Sequence, residues 1–319
     1  MPIVPAPPGV PGRFALPGGL VDAHVHVSLD FDEINLSREE LVERHTAALR
    51  RAGILAARDL GGPPSAPRIS GHDPAWLHSA DRLLAPPGTG YPHLCEHVPD
   101  EGAVARALEL VAAGAQWVKV MWDFPGADGN WLAAPTLYRE QTVSELVAAV
   151  HDAGARVAVH STGPNPGGAV ALGVDSIEHG VGLTRAHLEA MAASGCFWVP
   201  TLWAAHRHMD PVRDLGPGPA AMIDGVFAHY EENIATARDL GVPVLAGSDE
   251  TLQGDLWREV ELLARHGLSP DEAIASASNA ARTALRIPAP DGWLVTFDGD
   301  PREDIGALAR PAAVIAPDA

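Results

Sequence analysis

The sequence runs to 319 residues, 46% hydrophobic and 20% charged, with 41 acidic against 22 basic residues and a formal net charge of -19. That balance, with the arginines scattered rather than clustered, argues against a basic face for nucleic acid or an anionic membrane. Two distant cysteines, Cys95 and Cys196, can build neither a metal quartet nor a disulfide framework, so a reducing cytoplasm is the expected home.

The opening stretch MPIVPAPPGVPGRF lacks the charged-then-apolar pattern of a signal peptide, and no apolar run is long enough to span a bilayer. Short apolar or alternating runs predict strands at 20–27, 55–60, 83–85, 117–122, 156–161, 176–179, 197–201 and 242–248. Helical patterns rich in Ala, Leu and Val lie between them, at 37–53, 100–115, 142–155, 184–195, 219–241 and 255–267, with a further helix at 271–285. Eight strands alternating with helices imply parallel strands, and the expected α/β fold is a (β/α)8 TIM barrel. The third unit is the least regular, because Pro and Gly crowd both sides of a very short strand. An open doubly wound sheet is the rival, but no glycine-rich dinucleotide fingerprint follows any strand. The tail segments GWLVTF and PAAVIAPDA read as two more strands, and neither an internal repeat nor a low-complexity linker interrupts the chain. The expected organisation is an N-terminal segment (1–18), a barrel (19–286) and a C-terminal β tail packing on the barrel (287–319). The termini then form a truncated small β subdomain.

Chemistry concentrates at the strand ends. In VDAHVHV, His24 and His26 are two apart, so on a strand both imidazoles point to one face, the interior of a barrel. Imidazole suits zinc and similar metals, although His-x-His also occurs on solvent faces. WVKVMW carries Lys119, VAVHS ends in His160, SIEHG in His179 and LAGSDE in Asp249. Each sits where a strand gives way to its loop, at the face where barrel enzymes keep their active sites. Singly, each has a bland reading: His160 as a hydrogen-bonded core histidine, Asp249 as the N-cap of the next helix. Five strand ends converging with these residue types favour a metal site.

Lys119 stands apart, since 21 of the 22 basic residues are Arg and it is the one Lys. A buried ammonium is costly and loses its proton readily, which Arg cannot do. A neutral amine can capture carbon dioxide as a carbamate whose two oxygens bridge two metals. The alternative is a buried Lys paired with Asp123, Asp59 or Glu178.

These stretches, with LPGGLVDAHVHV, GILAARDLGG, GAQWVKVM, RVAVHSTG, VDSIEHGVGL, VLAGSDE, ASASNAARTAL and FDGDPREDIGALARPAAVI in order, resemble the amidohydrolase superfamily, in its imidazolonepropionase-like and metal-dependent prolidase-like branch. The resemblance covers almost the whole chain from Pro17 onward. It implies two divalent metals, zinc first with manganese, cobalt or iron able to substitute. His24 and His26 would hold the more buried ion, His160 and His179 the more exposed one. A carbamylated Lys119 would bridge them, and Asp249 would complete the first site and act as general base and acid. The usual longer N-terminal β segment is replaced by about 18 residues, and a partner subunit covering the trimmed end would make a homo-oligomer.

The expected function is hydrolysis of a C–N bond in a small amide, dipeptide-like or cyclic-amide substrate, rather than endoproteolysis of peptide chains. Lactone or ester hydrolysis at the same centre, a mononuclear ring deaminase and an inactive barrel scaffold are the alternatives. The deaminase is disfavoured because no Glu follows the fifth strand, which ends in His160-Ser161-Thr162. Arg58, Tyr91, His93, Trp122, Trp203 and His206 are the expected substrate contacts, with Trp131, His97 and His208 nearby in the same loops. Against this, the tryptophans could simply pack the loops, and Arg58 could form an ion pair with a neighbouring Asp.

Overall fold

In the computed structural model, residues 3–29, 36–66, 68–69, 76–126, 133–250 and 253–317 are described. Two short strands, β1 (Val4–Pro5) and β2 (Phe14–Pro17), precede β3 (Leu20–Val25), which is buried along its whole length. Helix α1 (Arg38–Arg51) starts at Ser37, whose hydroxyl accepts from the Glu40 amide while Glu40 reaches back, a reciprocal cap that satisfies two orphan donors. It returns the chain to β4 (Ile54–Asp59), and β5 (Leu77–Ser79), β6 (Leu83–Ala85) and β7 (Cys95–His97) follow. Helix α2 (Asp100–Ala112) leads to β8 (Trp117–Met121), α3 (Glu140–Asp152) to β9 (Arg156–Ser161), and α4 (Pro166–Ala171) to β10 (Ser176–His179). Helix α5 (Arg185–Ser194), ended by a left-handed Gly195, delivers β11 (Phe197–Val199). Helices α6 (Leu202–Arg213), α7 (Pro217–Leu240), α8 (Leu256–Arg265), α9 (Pro270–Ser276) and α10 (Asn279–Leu285) come next, then β12 (Leu294–Phe297) and β13 (Ala313–Ile315).

The alternation gives the expected α/β fold with parallel sheets. One sheet has the order β3-β4-β5 and the other β11-β10-β9-β8-β6-β7, every pair parallel. Among the described residues, no continuous ladder runs around the molecule. A few hydrogen bonds span the two seams instead. Gln116 donates its amide to Ser79 O at 3.0 Å on one side. On the other, the segment 243–249 bonds to β11 through Leu245 N and Trp198 O (2.8 Å) and to β3 through Ala23 N and Ala246 O (2.9 Å).

The strand expected at 83–85 is present as β6, which pairs with β8, while an additional strand, β5, pairs with β4 on the other side of the left-handed Asp81. One expectation needs correction. The eighth strand forms no ladder and keeps one isolated bridge, Trp198 to Val244. Gly247 explains the close fit there, since a Cβ would come within 2.6 Å of the His24 side chain.

The core has two parts. A shell of Leu, Val and Ile lies between helices and strands. An inner cluster including Val21, Ala158, Phe197 and Trp117 fills the space the strands enclose, and Ala281 and Leu285 of α10 close its lower end. The chain ends meet in a four-stranded antiparallel sheet, β1-β2-β12-β13, in which Leu16 pairs with Val295.

Candidate metal centre

The strand tips bring five of the six expected ligands into measured contact. His24 Nε2 lies 3.3 Å from His26 Nε2 and 3.3 Å from Asp249 Oδ1, and His26 Nε2 lies 3.4 Å from the same oxygen. His179 Nδ1 is 3.7 Å from Asp249 Oδ2, and the rings of His160 and His179 meet edge to face at 4.5 Å. Ligand atoms of His24, His179 and Asp249 all fall within 4.8 Å of one another. Backbone geometry helps aim them. His179 (φ 66°) and Asp249 (φ 47°) both adopt the left-handed region, as does Thr201 (φ 51°), which bonds His179. Such strain persists where surrounding structure over-determines it, and it gathers at functional sites.

The second nitrogens of His24 and His26 are anchored: His24 Nδ1 is 2.8 Å from Glu178 Oε2 and His26 Nδ1 is 2.5 Å from Gly61 O. His179 Nδ1, the atom nearest Asp249, also lies 2.8 Å from the Thr201 hydroxyl. Asp22 clasps the seam between β3 and the Asp249 segment, accepting from the amides of His24 and Ser248 and from the Ser248 hydroxyl. Asp59 does the same on the other side of His26, accepting from the amides of Val27 and Gly61 and the Ser79 hydroxyl.

Burial lowers the pKa of His24 to about 4, the Lys119 charge adding to the effect against Asp249 and Glu178. Burial likewise takes His179 to about 3 and His160 well below its ordinary value, with His179 and Lys119 adding to the latter. These imidazoles are neutral near pH 7 and have lone pairs to offer. For His26 burial is outweighed by the hydrogen bond and charge of Asp249, and its pKa rises. Burial is outweighed at Asp249 too, where the surrounding histidines hold the carboxyl well below its usual range.

Lys119 is 1% exposed, and its Nζ has no hydrogen-bond partner among the described residues. Burial pushes its pKa down to about 8. None of the three expected carboxylates pairs with it. Asp123 accepts from the Ser161 hydroxyl and the Thr162 and Gly163 amides, Asp59 serves the clasp above, and Glu178 is taken by Arg58.

The expected substrate contacts scatter. Tyr91, 40% exposed, stands beside the cluster with its ring edge-to-face to His160 at 5.9 Å. Arg58 is corrected: it is fully buried and bonds Ala23 O, Ser176 and Glu178, so it faces no substrate, and its ion pair is with Glu178 rather than the adjacent Asp59. Trp122 is corrected as well, being fully buried with its indole N–H donated to Asn165 O. Trp203 and His206 line a separate cavity of about 330 Å3 with Asp210 and Arg258, where His206 stacks on Phe227 at 3.9 Å. His93, His97 and His208 are exposed, and Trp131 lies outside the described residues. Sequence reasoning passed over Asp22, Thr201 and the anchoring role of Glu178. Asp22 was within reach, since it shares the strand phase of His24 and His26.

The amidohydrolase family model matches residues 14–316. An uncharacterized protein of Mycobacterium tuberculosis (strain ATCC 25618 / H37Rv) is 32% identical over 317 residues, covering 95% of this chain and 84% of its own length. Among solved structures, a Xaa-Pro dipeptidase with bound methionine superposes with a TM-score of 0.75 at 24% identity, covering 94% of this chain and 85% of that one. An A. niger ochratoxinase gives 0.77 at 19%, covering 94% and 80%. A prolidase complexed with N-methylphosphonate-L-proline gives 0.75 at 23%, covering 95% and 87%.

Proposed function

The chain belongs to the amidohydrolase family, and from that premise we propose that it is a metal-dependent hydrolase of C–N bonds in amide, dipeptide-like or cyclic-amide substrates. The observation that carries this reading is Lys119, a buried amine without a hydrogen-bond partner among imidazoles that burial keeps neutral. His24, His26, His160, His179 and Asp249 form a donor set that fits two divalent ions, zinc first. When bound, such cations acidify a water to near neutrality and polarise the scissile carbonyl.

The chain's own groups supply the rest. The Lys119 amine, with its pKa drawn down to about 8, attacks carbon dioxide. A C–N bond forms, a proton leaves to solvent, and the resulting carbamate offers two oxygens where Nζ has no partner. Asp249 is held as a carboxylate by its histidines, so it is competent to take the proton of the attacking water and return it to the leaving nitrogen. Tyr91, exposed beside His160, is the group best placed to meet the substrate. The amide-cleaving names of two similar structures, a Xaa-Pro dipeptidase and a prolidase, support starting with dipeptides.

The test combines metal quantification, carbon-13 NMR after labelled bicarbonate, and a screen of dipeptides, N-acyl amino acids, cyclic amides and lactones. Two ions per chain, a carbamate resonance and turnover of an amide are expected. Amide turnover that survives complete chelation would overturn the reading.

A further inference from the structure

Beneath the cluster, Glu178 is fully buried and surrounded by donors. Arg58 Nη2 donates to its two oxygens at 2.8 and 3.0 Å, and the Ser176 hydroxyl donates to Oε1 at 2.6 Å. Arg58 is pinned in turn by Ala23 O at 2.7 Å and Ser176 Oγ at 2.9 Å, with its guanidinium 4.5 Å from the Trp117 ring centre and 5.2 Å from that of Phe197. A carboxylate paired in this way can only accept from His24 Nδ1, 2.8 Å away. Nδ1 therefore carries the hydrogen and Nε2 the lone pair. That Nε2 points to the place where His26 Nε2 and Asp249 Oδ1 converge.

We infer that Glu178, backed by Arg58, is a positioning residue that fixes the His24 tautomer and strengthens Nε2 as a ligand for the cation held with His26 and Asp249. The inference rests on the metal-centre reading above. Its distinguishing feature is the charge of the acceptor. His26 Nδ1 meets the neutral carbonyl of Gly61, and His179 Nδ1 meets the Thr201 hydroxyl, whose own hydrogen goes to Pro200 O at 2.7 Å. An ionised acceptor polarises an imidazole more than a neutral one does, and such outer partners typically set metal affinity by 10–100-fold. Of these three anchored histidines, His24 is the one given a charged acceptor. The ion pair inside the strand ring is thereby tied to the site above it.

Two measurements test this. Nitrogen-15 imidazole spectra of the metal-free wild type, with His24 assigned by its loss in His24→Gln, should show protonated Nδ1 and bare Nε2. Protonation at Nε2 overturns the proposal. Zinc affinity, read by competition with a chromophoric chelator, should fall about 10–100-fold in Glu178→Gln and by less in Thr201→Val. Unchanged affinity in Glu178→Gln overturns it as well. If that variant does not fold with Arg58 left unpaired, the double variant Arg58→Met/Glu178→Gln removes both charges and should show the same weakening. Wild-type affinity in the double variant counts against the proposal. Absence of zinc binding in the wild type sinks the metal reading itself, while the tautomer measured in that protein still decides the role of Glu178.

Discussion

Arg58 and Lys119 are almost equally hidden from water, at 0 and 1% exposure, yet the fold treats them in opposite ways. Arg58, in the layer below the site, donates to a carboxylate, a hydroxyl and a carbonyl and lies over two aromatic rings. Arg156 on the far side of those rings is treated similarly, paired to Asp175 at 3.0 Å and bonded to Ala284 O. Lys119, among the strand tips, has no hydrogen-bond partner among the described residues. Burying an uncompensated charge costs several kcal/mol, so a chain that pairs Arg58 and Arg156 with carboxylates and leaves this amine open is tolerating a real penalty. The lower layer is completed by the chain itself. On the reading proposed above, the upper layer is completed by metal ions and a carbamate.

The largest effect expected from this contrast is on activity. Lys119→Ala should lower turnover by at least about 100-fold and reduce bound metal, since losing a ligand costs more than losing an outer partner. A short carboxylic acid added to that variant should restore part of the rate, because it replaces the missing oxygens. Lys119→Arg keeps the charge and cannot form the carbamate, so it should be as inactive as the Ala variant. Full activity in the Arg variant would remove the carbamate from the account.

Stability should separate the two cations by sign. Arg58→Met leaves Glu178 buried without its counter-charge, and urea unfolding of the metal-free protein should show a loss of about 3–5 kcal/mol. Lys119→Met removes an unsatisfied donor and should instead stabilise the metal-free protein by about 1–3 kcal/mol. If both substitutions destabilise equally, the distinction between the two layers is wrong.

The ligand types were legible because strand alternation fixes phase: Asp22, His24 and His26 share one face, His160, His179 and Asp249 follow recognisable apolar runs, and Lys119 interrupts one. Partners across the strand ring were not legible. Nothing local in AARDL says that Arg58 reaches Glu178, which lies 120 positions away, and the adjacent Asp59 was the more obvious mate. The strand expected at 83–85 is β6, but β5, three residues long and paired with β4, is too short to show a strand's alternation and was not legible. Helix α6 begins directly after Thr201, and its apolar positions are interrupted by His206, Arg207 and His208, which hid it among loop residues. Trp122 read as a mouth residue because it follows a strand, but its ring turns into the core, and only the Asn165 carbonyl meets its polar edge.

A third way of tolerating buried charge gives the smallest expected effect. Glu259 is fully buried, one oxygen accepts from the Trp203 amide at 2.7 Å, and the other has no hydrogen-bond partner. Burial raises its pKa to about 8, outweighing the Trp203 and Leu202 amides, with the charges of Asp22 and Asp249 adding to the rise. Between about 4.5 and about 8 the folded chain therefore keeps a proton that the unfolded chain gives up. This group's contribution to stability falls as pH rises through that window and levels off above it, by at most about 1.4 kcal/mol per pH unit. Glu259→Gln carries no proton to lose. Urea midpoints of the metal-free wild type and variant should nearly coincide at about pH 5 and separate by about pH 8, with the Gln variant the more stable. Parallel profiles would mean that Glu259 is ionised in the fold, a buried charge left uncompensated as Lys119 is.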